Sequence, residues 1–152
     1  MSIATAQNGD ELLFFRPRMT MIDDYPALPM IFSCVVARYQ GCTTFVFNPR
    51  GGEWELPNGR IEAGESAEEA GIRELYEESG QRVTSLTHAG VALIRLHNGD
   101  LEPGHLFTVE LDQIDPFIAN DETSALMLWD MQHPVGGHVD EIALALAQLI
   151  ST

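Results

Sequence analysis

Residues 59–81 predict a helix whose two ends are marked by capping residues. Ser66 and Glu69 have the spacing of a capping box, in which the hydroxyl accepts a backbone hydrogen bond and the carboxylate reaches back to the first residue. Gly80 is a typical helix stop, because glycine adopts the left-handed conformation without steric cost. The pattern predicts a helix over residues 67–79.

Three carboxylates on this helix, those of Glu74, Glu77 and Glu78, follow the i, i+3, i+4 spacing that places side chains on one face. Like charges at such positions repel each other by about 0.2–0.5 kcal/mol per pair. Carboxylate oxygens suit hard divalent cations such as Mg²⁺. The spacing therefore indicates a cation-binding face, whereas a glutamate-rich helix without further signals would have an ordinary solvated face.

The same helix has a separate apolar arc formed by Ile72, Leu75 and Tyr76, which we expect to pack on a sheet. Small residues stand beside the acids, and they either leave room for a ligand or permit close packing of the helix. Gly71 costs about 1 kcal/mol relative to alanine inside a helix. We therefore expect a packing or ligand reason for its presence.

The remainder of the chain predicts a mixed β structure with one further helix, at about 138–150. Apolar and β-branched runs predict strands at 11–18, 30–37, 43–48, 54–56, 83–87, 89–96, 105–111 and 125–130. Proline, glycine and polar clusters predict loose or loop structure at 1–10, 23–29, 97–104 and 112–122.

The charge balance limits the class of partner. The net charge is −15, and all eight basic residues are arginine. This composition disfavours binding of a large nucleic acid, which requires a basic surface, and of anionic membranes. A small phosphorylated ligand remains compatible, because bound metal ions can neutralise its charge locally.

The length of 152 residues fits one domain, 1–152, with an ordinary core. No apolar run reaches the roughly 20 residues needed to span a bilayer. The first residues lack the basic and apolar segments of a secretory signal, so we expect a cytoplasmic location. Cys34 and Cys42 are expected to be buried free thiols.

Eight residues of the helix segment stand at fixed spacing: Gly59, Glu65, Arg73, Glu74, Leu75, Glu77, Glu78 and Gly80. Together with the run-in at 54–57, this segment resembles the Nudix box, the loop–helix–loop that defines the Nudix hydrolases. Gln81 departs from the pattern, because the family usually has an aliphatic residue there, and Asn58 stands where glycine is commoner. The resemblance implies the family fold, an α/β (α+β) structure with an α/β/α sandwich around a mixed β-sheet.

The resemblance also implies metal-dependent hydrolysis of a nucleoside diphosphate linked to some group X. Such a reaction mainly requires charge neutralisation and an aligned water, which Mg²⁺ or Mn²⁺ can supply. By position, Glu74, Glu77 and Glu78 correspond to the metal ligands, and either Glu74 or Glu78 is the partner of the nucleophilic water. Arg73 lies four residues before Glu77 and can orient it through an ion pair.

Further residues around the box carry weaker expectations from the resemblance. Glu65 is expected behind the metal ligands rather than among them. The backbone carbonyl of Gly59, or that of Asn58, is a candidate metal ligand. Arg50 and Arg60 flank the box and either contact phosphates or are surface charges.

Many members of the family recruit another carboxylate from a later loop. Glu122, which precedes the late strand, is the best candidate, and Asp121 and Glu110 are alternatives. A solvated loop acid is the other interpretation of this residue. Trp129, in the late strand, is expected to contribute packing more than stacking on a base.

The substrate suggested by this set is a small nucleotide, most directly a nucleoside triphosphate that yields a monophosphate and pyrophosphate. An ADP-sugar or a dinucleoside polyphosphate is the alternative within the enzyme class. A nucleotide-binding sensor without catalysis is the alternative from another class, although such members usually lose box carboxylates; a purely structural acidic domain is a third. Homodimers are common in the family.

Overall fold

The computed structural model describes residues 1–22 and 28–151 of the chain. The described part contains ten strands and two helices. In chain order these are β1 (Ala4–Thr5), β2 (Glu11–Pro17), β3 (Phe32–Tyr39), β4 (Cys42–Asn48), β5 (Glu53–Glu55), β6 (Asn58–Arg60), α1 (Ala67–Ser79), β7 (Thr87–Arg95), β8 (Leu101–Glu110), β9 (Leu126–Trp129), β10 (His138–Val139) and α2 (Glu141–Ser151).

The strands form a mixed sheet in the order β1-β2-β7-β8-β3-β4-β5-β10. Strands β3 and β8 run parallel, as do β5 and β10, and the other pairs are antiparallel. Strand β3 pairs with β6 through its first residues and with β4 through its last. One edge of β3 is therefore shared by two partner strands, and the shorter of them, β6, contacts α1.

Alternation along β3 assigns the two helices to opposite faces of the sheet. Cys34 and Val36 belong to the core that includes Leu146 of α2. Val35 and Ala37 belong to the core that includes Leu75 of α1. The expected sandwich of two helices around a mixed sheet is confirmed.

Helix α1 has the predicted boundaries, and its ends have the predicted chemistry. The Ser66 hydroxyl accepts from the Glu69 backbone N–H at 3.1 Å, and the Glu69 carboxylate accepts from the Ser66 N–H at 2.9 Å. Gly80 follows in the left-handed conformation, with φ of 81°, and its N–H donates to the Tyr76 carbonyl. Local capping thus determines where the helix begins and ends.

The buried face of α1 differs from the predicted apolar arc. Its buried residues are Ala70, Gly71, Glu74, Leu75, Glu78 and Ser79. Ile72 and Tyr76 are only half-buried, so the expectation that they share the sheet-facing arc with Leu75 was wrong. A Cβ at position 71 would lie 2.8 Å from Leu86 Cδ1 and 3.3 Å from Val35 Cγ2. Gly71 therefore has a packing reason, and two of the acids face the sheet.

The strand predicted at 83–87 is not formed, because β7 begins only at Thr87. One backbone group there bonds to a side chain instead of a strand partner: the N–H of Leu86 donates to the Glu68 carboxylate at 2.8 Å.

The loop predicted at 97–104 is shorter than expected, since β8 begins at Leu101. Pro103 is accommodated because only its carbonyl is needed, accepting from the Ile31 N–H at 2.7 Å. Gly104 is accommodated because the Phe32 ring lies over it, where a Cβ would clash. Both residues suggested a loop, but in this sheet each has a structural role.

Several smaller expectations need adjustment. Residues 1–10 are not entirely loose, because they include β1, which pairs with β2. The second helix begins at Glu141, after β10, and Asp140 caps it by accepting from the Ala143 N–H at 2.9 Å. Of the loop predicted at 23–29, residues 23–27 lie outside the described residues, and 28–29 have no regular structure.

Cys34 is a buried free thiol as expected, whereas Cys42, also free, is only half-buried. Trp129 makes an edge contact with Phe45, consistent with a packing role. Among residues 1–22 and 28–151, no helix has both the length and the apolar character needed to cross a bilayer.

We expect Ser66→Ala to lower the free energy of unfolding by about 1 kcal/mol, because it leaves an N-terminal N–H of α1 without its cap. Urea denaturation followed by circular dichroism measures this change. Ser85→Ala, at an exposed position outside the helices, is the matched control and should have almost no effect. Equal stability of both variants would contradict the capping role.

Candidate active site

The candidate site lies where the second half of α1 meets β6. The Asn58 backbone N–H donates to Glu78 Oε1 at 2.8 Å. Gly59 faces the Glu74 carboxylate so closely that a Cβ there would overlap it. At the other end of the helix, the Ser33 hydroxyl donates to the Ala67 carbonyl at 2.6 Å. Backbone contacts thus hold the acidic face of α1 against the sheet.

Three carboxylates converge at this junction. Oxygens of Glu74, Glu78 and Glu122 all lie within 4.8 Å of one another. Glu74 and Glu78 are buried, and Glu122 approaches them from an exposed position in the 112–125 loop. The structure therefore brings together two of the three box acids and the predicted loop acid.

Burial dominates the electrostatics of the two inner acids. It raises the pKa of Glu78 to about 9, with the nearby charges of Glu74 and Glu122 adding to the effect. Burial also raises the pKa of Glu74, against the opposing influence of Arg73. Glu74 Oε2 is buried and has no hydrogen-bond partner among the described residues. Such an arrangement of like charges favours binding either protons or a cation.

Arg73 connects the acids of the box. Its Nε and Nη2 donate to the two oxygens of Glu65 at 2.8 and 2.9 Å, a bidentate pair. Its Nη1 donates to Glu74 at 2.7 Å and to Glu77 at 3.3 Å. Its Nη2 also donates to the Arg60 carbonyl at 3.0 Å. The predicted contact with Glu77 is present, but the shorter contacts are those with Glu65 and Glu74.

The other predicted residues lie around this centre. Glu77 is outside the three-carboxylate group, and 51% of its side chain is exposed. The Arg60 side chain is 71% exposed and forms an ion pair with Glu102 at 2.8 Å. Arg50 lies at the edge of a cavity of about 260 Å³ that also contacts Glu78 and Glu122.

The residues present fit a hard divalent cation. An orphaned buried carboxylate oxygen on Glu74 lies beside two further carboxylates, and oxygen ligands of this charge are those that Mg²⁺ and Mn²⁺ take. Glu74, Glu78 and Glu122 could hold such an ion.

A larger cleft of about 350 Å³ adjoins the centre and shares Asn58 and Gly59 with it. Its walls combine apolar and polar side chains, including those of Phe32, Leu56, Ile142, Arg60, Glu102 and Asp140. Mixed lining of this kind is typical of sites for small organic ligands. Asn58 and Gly59 connect this cleft with the carboxylate group, since they contact Glu78 and Glu74.

The acids of the cleft to which sequence reasoning assigned no role include Glu53, Glu55 and Asp140. Glu53 and Glu55 occupy alternate positions of β5, a spacing that places them on one face of the strand. Asp140 is brought alongside by the parallel pairing of β10 with β5. The alternation was visible in the sequence, whereas the parallel pairing was not.

We expect Glu53 to make folding stability depend on pH. Burial, with help from Asp140 and Glu55, raises its pKa from 4.5 to about 7. Between these values the folded state holds a proton that the unfolded state has released, so stability falls as pH rises from about 4.5 to about 7. Glu53→Gln removes this loss and should therefore stabilise the protein more at pH 8 than at pH 4.

Urea denaturation at the two pH values measures this difference. Glu110→Gln, at an exposed position on β8, is the control and should show no such dependence. The same stability change for Glu53→Gln at pH 4 and pH 8 would show that its carboxyl titrates normally.

Comparison with known proteins places the chain in a family. A domain model described as the NUDIX domain matches residues 34–130. A curated Bacillus subtilis (strain 168) protein named "Putative 8-oxo-dGTP diphosphatase" is 50% identical over 38 residues. That match covers 25% of this chain and spans only 26% of the relative's length.

Solved structures share the fold over most of the chain. A mutant of the Bacillus subtilis pyrophosphohydrolase BsRppH superposes with a TM-score of 0.71 at 20% identity, covering 97% of this chain and 93% of that one. A MutT Nudix hydrolase from Burkholderia pseudomallei gives 0.67 at 20% identity, with 82% and 99% covered. Since the domain model spans more than half of the sequence, the chain belongs to the Nudix hydrolase family.

Proposed function

We propose that this chain hydrolyses a phosphoanhydride bond of a small nucleotide, and that its substrate is a nucleoside triphosphate cleaved to a monophosphate and pyrophosphate. The observation that carries the proposal is the buried acid group. Glu74 and Glu78 are held against β6, with one oxygen of Glu74 unpartnered, beside a cleft large enough for an organic ligand. The relative that matches over 38 residues is named "Putative 8-oxo-dGTP diphosphatase", which supports a nucleoside triphosphate.

In this proposal, Glu74, Glu78 and Glu122 hold Mg²⁺ or Mn²⁺, with Glu77 and the Gly59 carbonyl as further candidate ligands. The bound ion supplies neutralisation of phosphate charge and a lowered pKa of a coordinated water. Glu74 and Glu78 are both candidates to accept the proton of the attacking water.

Arg73 acts as a positioning residue in this scheme. Its hydrogen bonds to Glu65 and Glu74 hold a guanidinium between the box loop and the helix. The same guanidinium donates to the Arg60 carbonyl and so also links the helix to β6. A carboxylate fixed in this way needs little reorganisation when the substrate binds.

The cleft provides a location for the nucleoside. Phe32, Leu56 and Ile142 offer apolar contact, and Asp140 offers hydrogen-bond acceptors. Arg50 and Arg60, which lie at the edges of the two cavities, are candidates to contact phosphates.

A cytoplasmic location and a homodimer complete the proposal. Size-exclusion chromatography with light scattering tests the dimer.

We expect Glu78→Gln to lower kcat by at least about 100-fold, the loss typical of removing a proton acceptor or ligand at a reacting centre. The fold should persist, because the glutamine oxygen can still accept from the Asn58 N–H. Steady-state hydrolysis with Mg²⁺ measures the loss, and the thermal melt verifies folding. Asp100→Asn, at an exposed position between β7 and β8, serves as the control, and near-normal activity of Glu78→Gln would refute the assignment.

A nucleotide screen with Mg²⁺ and with Mn²⁺ tests the substrate. We expect nucleoside triphosphates to give monophosphate and pyrophosphate, resolved by ion-exchange chromatography, and EDTA to abolish the reaction. Cleavage only of an ADP-sugar or a dinucleoside polyphosphate would replace the substrate while keeping the chemistry. A nucleotide that binds with Mg²⁺ but is never cleaved would instead identify a sensor.

A further inference from the structure

Gln81, the residue that departs from the family pattern at the end of the box, is buried. Its side chain forms hydrogen bonds with a loop that is distant in the sequence. Gln81 is only 1% exposed to solvent. Its Nε2 donates to the Asp115 carbonyl at 2.8 Å, and its Oε1 accepts from the Asp115 N–H at 2.8 Å. An aliphatic side chain at this position could satisfy neither backbone group. The glutamine therefore fastens the 112–125 loop to the end of α1.

A second set of contacts fastens the far side of the same loop. The Thr123 hydroxyl donates to the backbone carbonyl of Glu78 at 2.7 Å. Asn120 Oδ1 accepts from the backbone N–H groups of Glu122 and Thr123 at 2.9 and 2.8 Å, and Asn120 Nδ2 donates to the Thr123 hydroxyl at 2.8 Å. These bonds determine the backbone conformation at Glu122.

Between these two sets of hydrogen bonds the loop lies close against Gly80. A Cβ at this position would lie 2.6 Å from the Pro116 carbonyl oxygen and 3.2 Å from the Ile118 backbone N. The glycine that ends the helix thus also admits the loop. From residue 115 to 123 the loop is therefore supported on the last turn of α1.

This support opposes an electrostatic force. Glu122 brings a third carboxylate to within 4.8 Å of Glu74 and Glu78, and the burial of those two weakens the screening of their charge by water. Where these carboxylates are ionised and no cation is bound, their mutual repulsion opposes this placement of Glu122. The hydrogen bonds that fix the Glu122 backbone keep its carboxylate in place before an ion binds. A site held in this way is preorganised.

We propose that Gln81 is a positioning residue for cation binding: by clamping Asp115 it holds the loop that presents Glu122 to Glu74 and Glu78. The inference rests on the proposed function only in treating these three carboxylates as the cation site. It assigns a role to the one position where the box departs from its usual aliphatic residue.

The test is the affinity of the full-length protein for Mn²⁺, measured without nucleotide by electron paramagnetic resonance of the free ion. We expect Gln81→Leu to weaken binding by about 10-fold, the lower end for loss of a residue that supports a metal ligand. Gln113→Leu is the matched control, because within residues 1–22 and 28–151 the side chain of that exposed glutamine bonds to the Asp115 side chain and not to the Asp115 backbone. It should leave the affinity unchanged.

A double-variant experiment separates positioning from general destabilisation. If Gln81 acts through Glu122, then Gln81→Leu should weaken Mn²⁺ binding no further once Glu122→Gln is present. Additive losses would overturn the proposal, as would unchanged binding by folded Gln81→Leu.

Asn120→Ala provides a second route if Gln81→Leu does not fold. It removes the hydrogen bonds to the Glu122 and Thr123 backbone from a partly exposed position, so the core is untouched. The same loss and the same dependence on Glu122 are expected, and additivity there would also refute the mechanism. Full Mn²⁺ binding without nucleotide hydrolysis would refute the proposed function alone, and hydrolysis with an unaffected Gln81→Leu would refute this inference alone.

Discussion

The burial of two carboxylates at the junction of α1 and β6 is the constraint on which the rest of the site depends. Glu78 is compensated by the Asn58 backbone N–H, and Glu74 by the Arg73 guanidinium. Neither compensation is complete, since one oxygen of Glu74 remains without a partner and burial raises the pKa of both groups. Buried carboxyl groups with raised pKa are typical of sites that bind an ion or take part in a reaction.

The surroundings are arranged so that this unfavourable group does not disrupt the fold. The capping box supports the helix from its N-terminus, where Ser66 and Glu69 satisfy each other's backbone groups. Arg73 links the helix to the preceding loop through Glu65. Local interactions thus hold the acidic turn in position although its own charges oppose that position, and ordinary apolar packing on both faces of the sheet supplies the remaining stability.

Sequence reasoning succeeded where the determinants are local and failed where they are not. The boundaries of α1 follow from Ser66, Glu69 and Gly80, which act within one or two turns, and the prediction was confirmed there. The strand at Leu101–Glu110 was underestimated, because Pro103 and Gly104 are accommodated through contacts with Ile31 and Phe32, at the start of β3. Glu122 was identified from the family resemblance. The grouping of the cleft acids was missed, because it depends on the parallel pairing of β5 with β10, which are more than eighty residues apart in the sequence.

Gly71 has a consequence that extends beyond the packing of the helix. Because the glycine leaves no side chain between α1 and Val35, it sets the separation of the helix from the sheet. That separation also sets how far the Glu78 carboxylate stands from the Asn58 backbone, since both contacts are made by the same rigid helix. Position 71 therefore acts as a spacer for the acid group, and the placement of that group against β6 depends on the absence of a methyl group from a residue outside it.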